Sequence, residues 1–203
     1  IIGVWPGKCC FPDMLDDKAR QWFGDKYRIL IDKGIDGFWN DMNEPAIFYS
    51  EKHLKEVFEK MEDYKKMNLD VNTFFEMTGM IGGICNNPED YASFYHNYKG
   101  RRYRHDQVHN LFGYYMTRSA SEAFERYVPE KRILLFSRAS YIGMHRFGGI
   151  WQGDNASWWS HLEMNVKMMP SLNMCGFLYT GADVGGFGAD ATEDLVLRWL
   201  EFA

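Results

Sequence analysis

The chain has 203 residues, of which 46% are hydrophobic and 17% aromatic, enough to bury a core, and this excludes the disordered and collagen-like classes. Its 23 Lys and Arg against 28 Asp and Glu leave a net charge of −5, so no basic field exists to attract phosphates and nucleic acid is excluded as an expected partner. The longest apolar runs, 132–136 and 174–179, are far shorter than the roughly 20 residues that cross a bilayer, and no membrane partner is expected.

In chain order, Ile1-Ile2-Gly3-Val4-Trp5 reads as a buried strand, and with no initiator Met the sequence is expected to be cut at both ends. Ala19, Trp22, Phe23, Tyr27, Leu30 and Ile31 recur at helical spacing up to Gly34, which predicts a core-facing helix. Ile35 to Asp41 predicts a buried strand with a polar tip, stopped by Pro45. Leu54, Val57, Phe58 and Met61 mark a second helix, and the Gly- and Asn-containing stretch 78–88 reads as turns. Residues 49–104 together read as an insertion.

A long helix is predicted over Asp106–Tyr127, then a strand over Arg132–Arg138. A Gly- and aromatic-rich loop leads to Asp154, a helix follows to Pro170, a strand spans Cys175–Tyr179, and a last helix begins at Thr192. Buried strands alternating with helices, each strand tipped by a polar residue, argue for a parallel α/β sheet with its site at the C-terminal edge.

The strand tips and adjoining loops hold the informative residues: Trp39-Asn40-Asp41-Met42-Asn43-Glu44-Pro45, Arg138 with Trp151-Gln152-Gly153-Asp154-Asn155, and Gly181-Ala182-Asp183-Val184-Gly185-Gly186-Phe187. Each carboxylate alone reads equally well as a cap or turn former, and each Trp reads more readily as core. Together they suit a sugar, whose apolar face stacks on an aromatic ring while its hydroxyls need acceptors. Two carboxylates from different strands then flank a glycosidic bond as nucleophile and proton donor.

At these residues the chain resembles glycoside hydrolase family 31, the retaining α-glucosidases and their relatives, of bacterial type. Trp39 to Pro45 is similar to the family's nucleophile signature, which implies that Asp41 forms the glycosyl ester. Trp151 to Asn155 resembles its Trp-x-Gly-Asp-Asn signature, which implies that Asp154 is the acid/base. Arg138 resembles the family's substrate-binding Arg, and Asp183 with Phe187 its pocket-lining Gly-Ala-Asp-x-x-Gly-Phe segment. Trp39, Met42 and Trp151 complete the substrate-binding residues, and Glu44 is read as orienting the loop.

The resemblance implies a (β/α)8 TIM barrel, of which about strands three to seven are present: residues 1–203 form a partial catalytic barrel domain with an insertion at about 49–104. It implies terminal α-linked glucose release by double displacement, with no cofactor and no metal. An α-xylosidase, an α-glucan transglycosylase or a non-catalytic carbohydrate-binding relative shares the same residues. The partner expected is an α-linked oligosaccharide substrate, and the insertion is a candidate lid or homo-oligomer contact. A piece of this size is expected to need the missing strands for stability and turnover. Four scattered cysteines, without a disulfide framework or a CxxC pair, fit a cytoplasmic protein. His105 and His109 share the i, i+4 spacing of a zinc helix, but a metal role is the lesser reading beside a surface or capping one.

Overall fold

The computed structural model describes residues 1–202. In chain order the elements are β1 (Ile2–Val4), β2 (Gly7–Cys9), α1 (Asp17–Lys26), α2 (Arg28–Ile31), β3 (Gly37–Asn40), β4 (Tyr49–Ser50), α3 (Glu51–Tyr64), α4 (Val71–Gly82), α5 (Pro88–Ser93), β5 (Tyr95–Tyr98), β6 (Arg101–Arg104), α6 (His105–Tyr127), β7 (Leu134–Ser137), β8 (Gly149–Trp151), α7 (Trp159–Met174), β9 (Thr180–Gly181) and α8 (Glu193–Phe202). They fall into two compact units: residues 1–16 with 45–109, and residues 17–44 with 110 to the end of the chain. No helix among the described residues is long and apolar enough to cross a membrane.

In the first unit β1 pairs antiparallel with both β2 and β4. The buried strand expected at Ile1–Trp5 is therefore the shorter β1, flanked by the exposed Ile1 and Trp5, and it belongs to a small antiparallel sheet rather than to the parallel one. Three caps start the helices that follow. Ser50 Oγ accepts from the His53 backbone N–H, Asp70 and Thr73 form a reciprocal capping box, and Asn87 caps a helix with Pro88 in its first turn. The capping box at Asp70 corrects the expected turns over 78–88, because α4 carries helix as far as Gly82.

The basic run 101–104 is strand β6 of a hairpin with β5. His105 is not a surface residue, while His109 is part-buried. His105 has no solvent exposure, and both its ring nitrogens are engaged, Nδ1 with His96 Nε2 and Nε2 with His109 Nδ1, each at 2.8 Å. Asp13 closes the chain on His96 Nδ1 at 2.8 Å. Burial, reinforced by the two neighbouring imidazoles, pushes the His105 pKa down to about 3, so this ring stays neutral in the folded chain.

The second unit is built on a parallel sheet in the order β3-β7-β8-β9. Spatial order equals sequence order, with no reversal, which is the arrangement of a barrel sector rather than of a doubly wound sheet. Ile31, Ala120, Phe124 and Leu135 form a buried cluster with Tyr27, Phe38, Val128 and Ile133 packed against it, clamping helices on β3 and β7. A second cluster of Leu162, Leu195 and Trp199 joins α7 to α8.

Two strand expectations change here. The loop before Asp154 contains β8, which propensity hides because it includes Gly149. A Cβ at Gly149 would stand 2.7 Å from the Tyr179 carbonyl oxygen and 2.9 Å from the Phe136 ring, so close strand packing demands glycine. The expected strand Cys175–Tyr179 is mostly a helix end. α7 runs through Pro170 to Met174 and closes with Gly176 at φ 92°, its N–H bonding the Asn173 carbonyl at 2.9 Å while Phe177 bonds that of Leu172 at 3.0 Å. The strand proper is β9, two residues long.

Candidate active site

All eight expected site residues lie in the second unit, on the C-terminal ends of its strands or the loops just beyond them. Asp41 follows β3, and its Oδ1 accepts the backbone N–H of Met42 at 2.7 Å. That bond accompanies a left-handed Met42, φ 55°, an uncommon conformation for a side chain with a Cβ that costs about 1–3 kcal/mol and occurs mostly where function requires it.

Arg138 follows β7 directly and gathers the charges. Its Nε and Nη2 donate to the two oxygens of Glu44 at 2.8 and 2.9 Å, leaving Nη1 to meet Asp41 Oδ1 at 3.1 Å. The Glu44 hydrogen bonds chiefly, and then the Asp41 and Asp154 charges, hold the guanidinium pKa above its ordinary value against an opposing effect of burial. The fork fixes the plane of the guanidinium and so the direction of Nη1. Glu44, expected to orient the loop, thus contacts the strand-tip Arg138 through both of its oxygens.

Asn43, between Met42 and Glu44, is 1% exposed and ties the β3 loop to β7. Its Nδ2 donates to Ser137 Oγ at 2.9 Å, its Oδ1 accepts from Ala139 N at 3.0 Å, and Ser137 Oγ donates to the Ala139 carbonyl at 2.7 Å. No periodicity flags Asn43 or Ser137 as site supports. Their partners are nearly a hundred residues away in sequence, and the one available signal is a polar residue at a position that the strand pattern buries.

Trp39, Phe136, Trp151, Gly181, Ala182 and Asp183 line a cavity of about 250 Å³. Trp39 is 58% exposed and Trp151 only 8%; their rings meet edge to face at 4.8 Å and 87°. Trp151 thus builds the wall while Trp39 presents a free aromatic surface. The Trp151 indole N–H donates to Asp183 Oδ1 at 2.9 Å, and Asp183 Oδ2 is buried with no hydrogen-bond partner among the described residues. Burial pushes the Asp183 carboxyl above its ordinary pKa, the Trp151 hydrogen bond opposes this, and the Asp154 and Asp41 charges add to it.

Asp154 is exposed, just past β8, and its charge reaches both Arg138 and Asp183. Phe187 is joined to the same loop through its backbone, its N–H bonding the Asn155 carbonyl at 2.6 Å, while its ring is 67% exposed. The geometry thus assembles Asp41, Arg138 and Glu44 by direct contact and Trp39, Trp151 and Asp183 around the cavity. Met42 enters through its backbone. No group of three or more His, Cys, Asp or Glu placed to hold a metal ion occurs among the described residues.

Sequential parallel strands presenting carboxylates and aromatic rings at their C-terminal ends are the arrangement of a TIM-barrel sector. The family model for the glycosyl hydrolases family 31 TIM-barrel domain matches residues 1–203, and the chain belongs to that family. It is 32% identical over 198 residues to alpha-glucosidase 2 of Bacillus thermoamyloliquefaciens, covering 98% of this chain and 21% of the relative. It is 29% identical to the pig neutral alpha-glucosidase AB, covering 97% of this chain and 17% of the relative. Among solved structures, the family 31 alpha-glucosidase of Bacteroides thetaiotaomicron superposes with a TM-score of 0.67 at 28% identity, over 100% of this chain and 26% of that one. The chain therefore spans about a fifth of the length of the curated relatives it matches, and its four-stranded parallel sheet is one sector of the closed barrel.

Proposed function

We propose that the protein containing this chain is a retaining glycosidase that releases terminal α-linked glucose from oligosaccharides. Asp41 is the nucleophile and Asp154 the acid/base. The observation that carries this reading is the contact of Arg138 with Asp41 at 3.1 Å, in a site where Asp154 is close enough to act on both Arg138 and Asp183. Family membership and relatives named alpha-glucosidase support it.

In the first step Asp41 attacks the anomeric carbon as the bond to the leaving oxygen breaks, and Asp154 transfers its proton to that oxygen. In the second, Asp154, now a carboxylate, takes a proton from water. The water oxygen attacks the anomeric carbon, and the ester bond breaks to release Asp41. Direct attack requires carboxyl groups about 5–5.5 Å apart. Arg138 offsets the charge on Asp41 when the site is empty, and the exposed Trp39 ring offers an apolar face to the sugar.

Time-resolved proton NMR of the full-length enzyme on maltose and isomaltose tests the proposal, with Asp41→Asn as control. The α anomer of glucose is expected first and is lost in the variant. Initial appearance of the β anomer would overturn retention, and turnover of α-xylosides in place of maltose would overturn the sugar assigned.

A further inference from the structure

Asn165 lies on α7, outside every motif the sequence displays, yet it has no solvent exposure. Its side-chain amide spans the acid/base loop. Nδ2 donates to Gln152 Oε1 at 2.5 Å, and Oδ1 accepts from Asn155 Nδ2 at 3.3 Å. Gln152 and Asn155 are the residues two before and one after Asp154, so one buried amide holds both shoulders of the segment that carries the acid/base.

The loop is tied down on its other side as well. The Gln152 N–H bonds the Gly181 carbonyl at 2.9 Å, and the Asn155 carbonyl accepts from Phe187 and Gly188 at 2.6 and 3.2 Å. Asn155 Nδ2 also reaches the Asp183 carbonyl at 3.3 Å. The segment 152–155 is thereby held between α7 and the loop that carries Asp183, while Asp154 itself is exposed.

The network has a cost that packing does not explain. Gln152 Nε2 and Asn155 Oδ1 are buried without a hydrogen-bond partner among the described residues, and a half-satisfied polar cluster is less stable than an apolar one of the same shape. All three members are amides, which carry no net charge. They fix the loop without placing a second charge beside a carboxyl that must give up and regain a proton.

Resting on the proposed acid/base role of Asp154, we infer that Asn165 is a positioning residue for proton donation to the leaving group. It acts through Gln152 and Asn155 and touches no reacting atom. A group misplaced by about 1 Å loses roughly a hundredfold in rate, and that loss falls only on substrates whose leaving oxygen needs the proton.

The test measures kcat/KM of the full-length enzyme for maltose and for 2,4-dinitrophenyl α-glucoside, whose leaving group departs without protonation. Asn165→Asp keeps the volume and the acceptor but removes the donor, Asn165→Leu removes both, and thermal unfolding of each variant is recorded. The expected result is a loss of roughly 10- to 100-fold on maltose in Asn165→Leu and a smaller one in Asn165→Asp, with under about threefold on the aryl glucoside in both. Equal losses on the two substrates overturn the inference, whether or not Tm falls, because a structural role lowers both alike. Asp154→Ala, run in parallel, separates the two readings: selective loss on maltose upholds the acid/base role, and equal loss there overturns that role rather than the part played by Asn165.

Discussion

Asp41 and Asp154 extend from strands of one sheet, but their loops are held by different means. The Asp41 loop is secured by charge and strain: Arg138 at 3.1 Å, a two-bond fork from Glu44 to that arginine, and a left-handed Met42. The Asp154 loop is secured by neutral amides from Gln152, Asn155 and Asn165 and by backbone bonds to residues 181–188. The difference matches the chemistry proposed for each carboxyl. A nucleophile attacks as an anion and takes up no proton in the cycle, so it tolerates a permanent cation beside it, whereas a proton donor must bind and release a proton in every cycle.

The largest effect expected is at the first loop. Asp41→Asn removes the proposed nucleophile, and kcat of the full-length enzyme should fall on the order of ten-thousandfold for every substrate, whatever its leaving group. Steady-state assays on maltose and on an aryl α-glucoside check this, and an Asp41→Asn enzyme that keeps a tenth of its activity would break the comparison at once.

Asp154→Ala should cost on the order of a hundred- to ten-thousandfold on maltose and much less on an activated aryl glucoside. The same pair of assays reads it. Glu44→Gln comes next: a neutral amide cannot accept both guanidinium bonds, and the loss of a charge-assisted hydrogen bond worth about 1.5–3 kcal/mol corresponds to roughly 10- to 150-fold in kcat/KM. A Glu44→Gln enzyme as inactive as Asp41→Asn would make Glu44 a participant in the chemistry and not a group that acts through Arg138.

Smaller again is Trp151→Phe, which keeps most of the wall but removes the indole N–H that holds the Asp183 pKa down against burial. Carboxyl-carbon NMR should show Asp183 titrating still higher in the variant. An Asp with a raised folded pKa binds more protons folded than unfolded, so its share of stability is present at low pH. That share is lost as pH rises from the unfolded value near 3.9 through the raised one, and the variant should extend the loss upward.

The smallest effect concerns neither loop and guards the pH profiles that compare them. His105 titrates at about 3 when folded and near 6.5 when unfolded, so the unfolded chain binds the extra proton between those values. Stability is therefore expected to fall as pH drops below about 6.5, and to go on falling until about 3, with a slope of at most one proton. Urea unfolding between pH 4 and 7 measures the slope, and a His105→Gln variant that unfolds without this pH dependence assigns it. Activity lost in acid then divides into unfolding and titration of the site.

Much of the site was legible in the sequence because its residues cluster in short segments. Trp39 to Glu44, Trp151 to Asn155 and Asp183 to Phe187 are contiguous; strand alternation places the first of them at a sheet edge, and the resemblance to the family marks the other two. The parallel order of β3 and β7 was legible for a similar reason, since both are apolar runs bounded by helices. β8 was not, because its glycine, Gly149, is selected by the closeness of Tyr179 and Phe136 and not by strand propensity. His105 was misread because spacing along a helix does not say which face is covered.

What the sequence determined by itself is the set of chemical groups and their approximate address: two carboxylates, an arginine and aromatic rings at the ends of successive parallel strands. What only the tertiary structure decided is how each group is held. The fork from Glu44 and the Asn43–Ser137 link join residues 94 positions apart, and the Asn165 clamp residues 10 and 13 apart. Hydrogen bonds are directional over about 3 Å, so the partners become known only once the chain has brought them together.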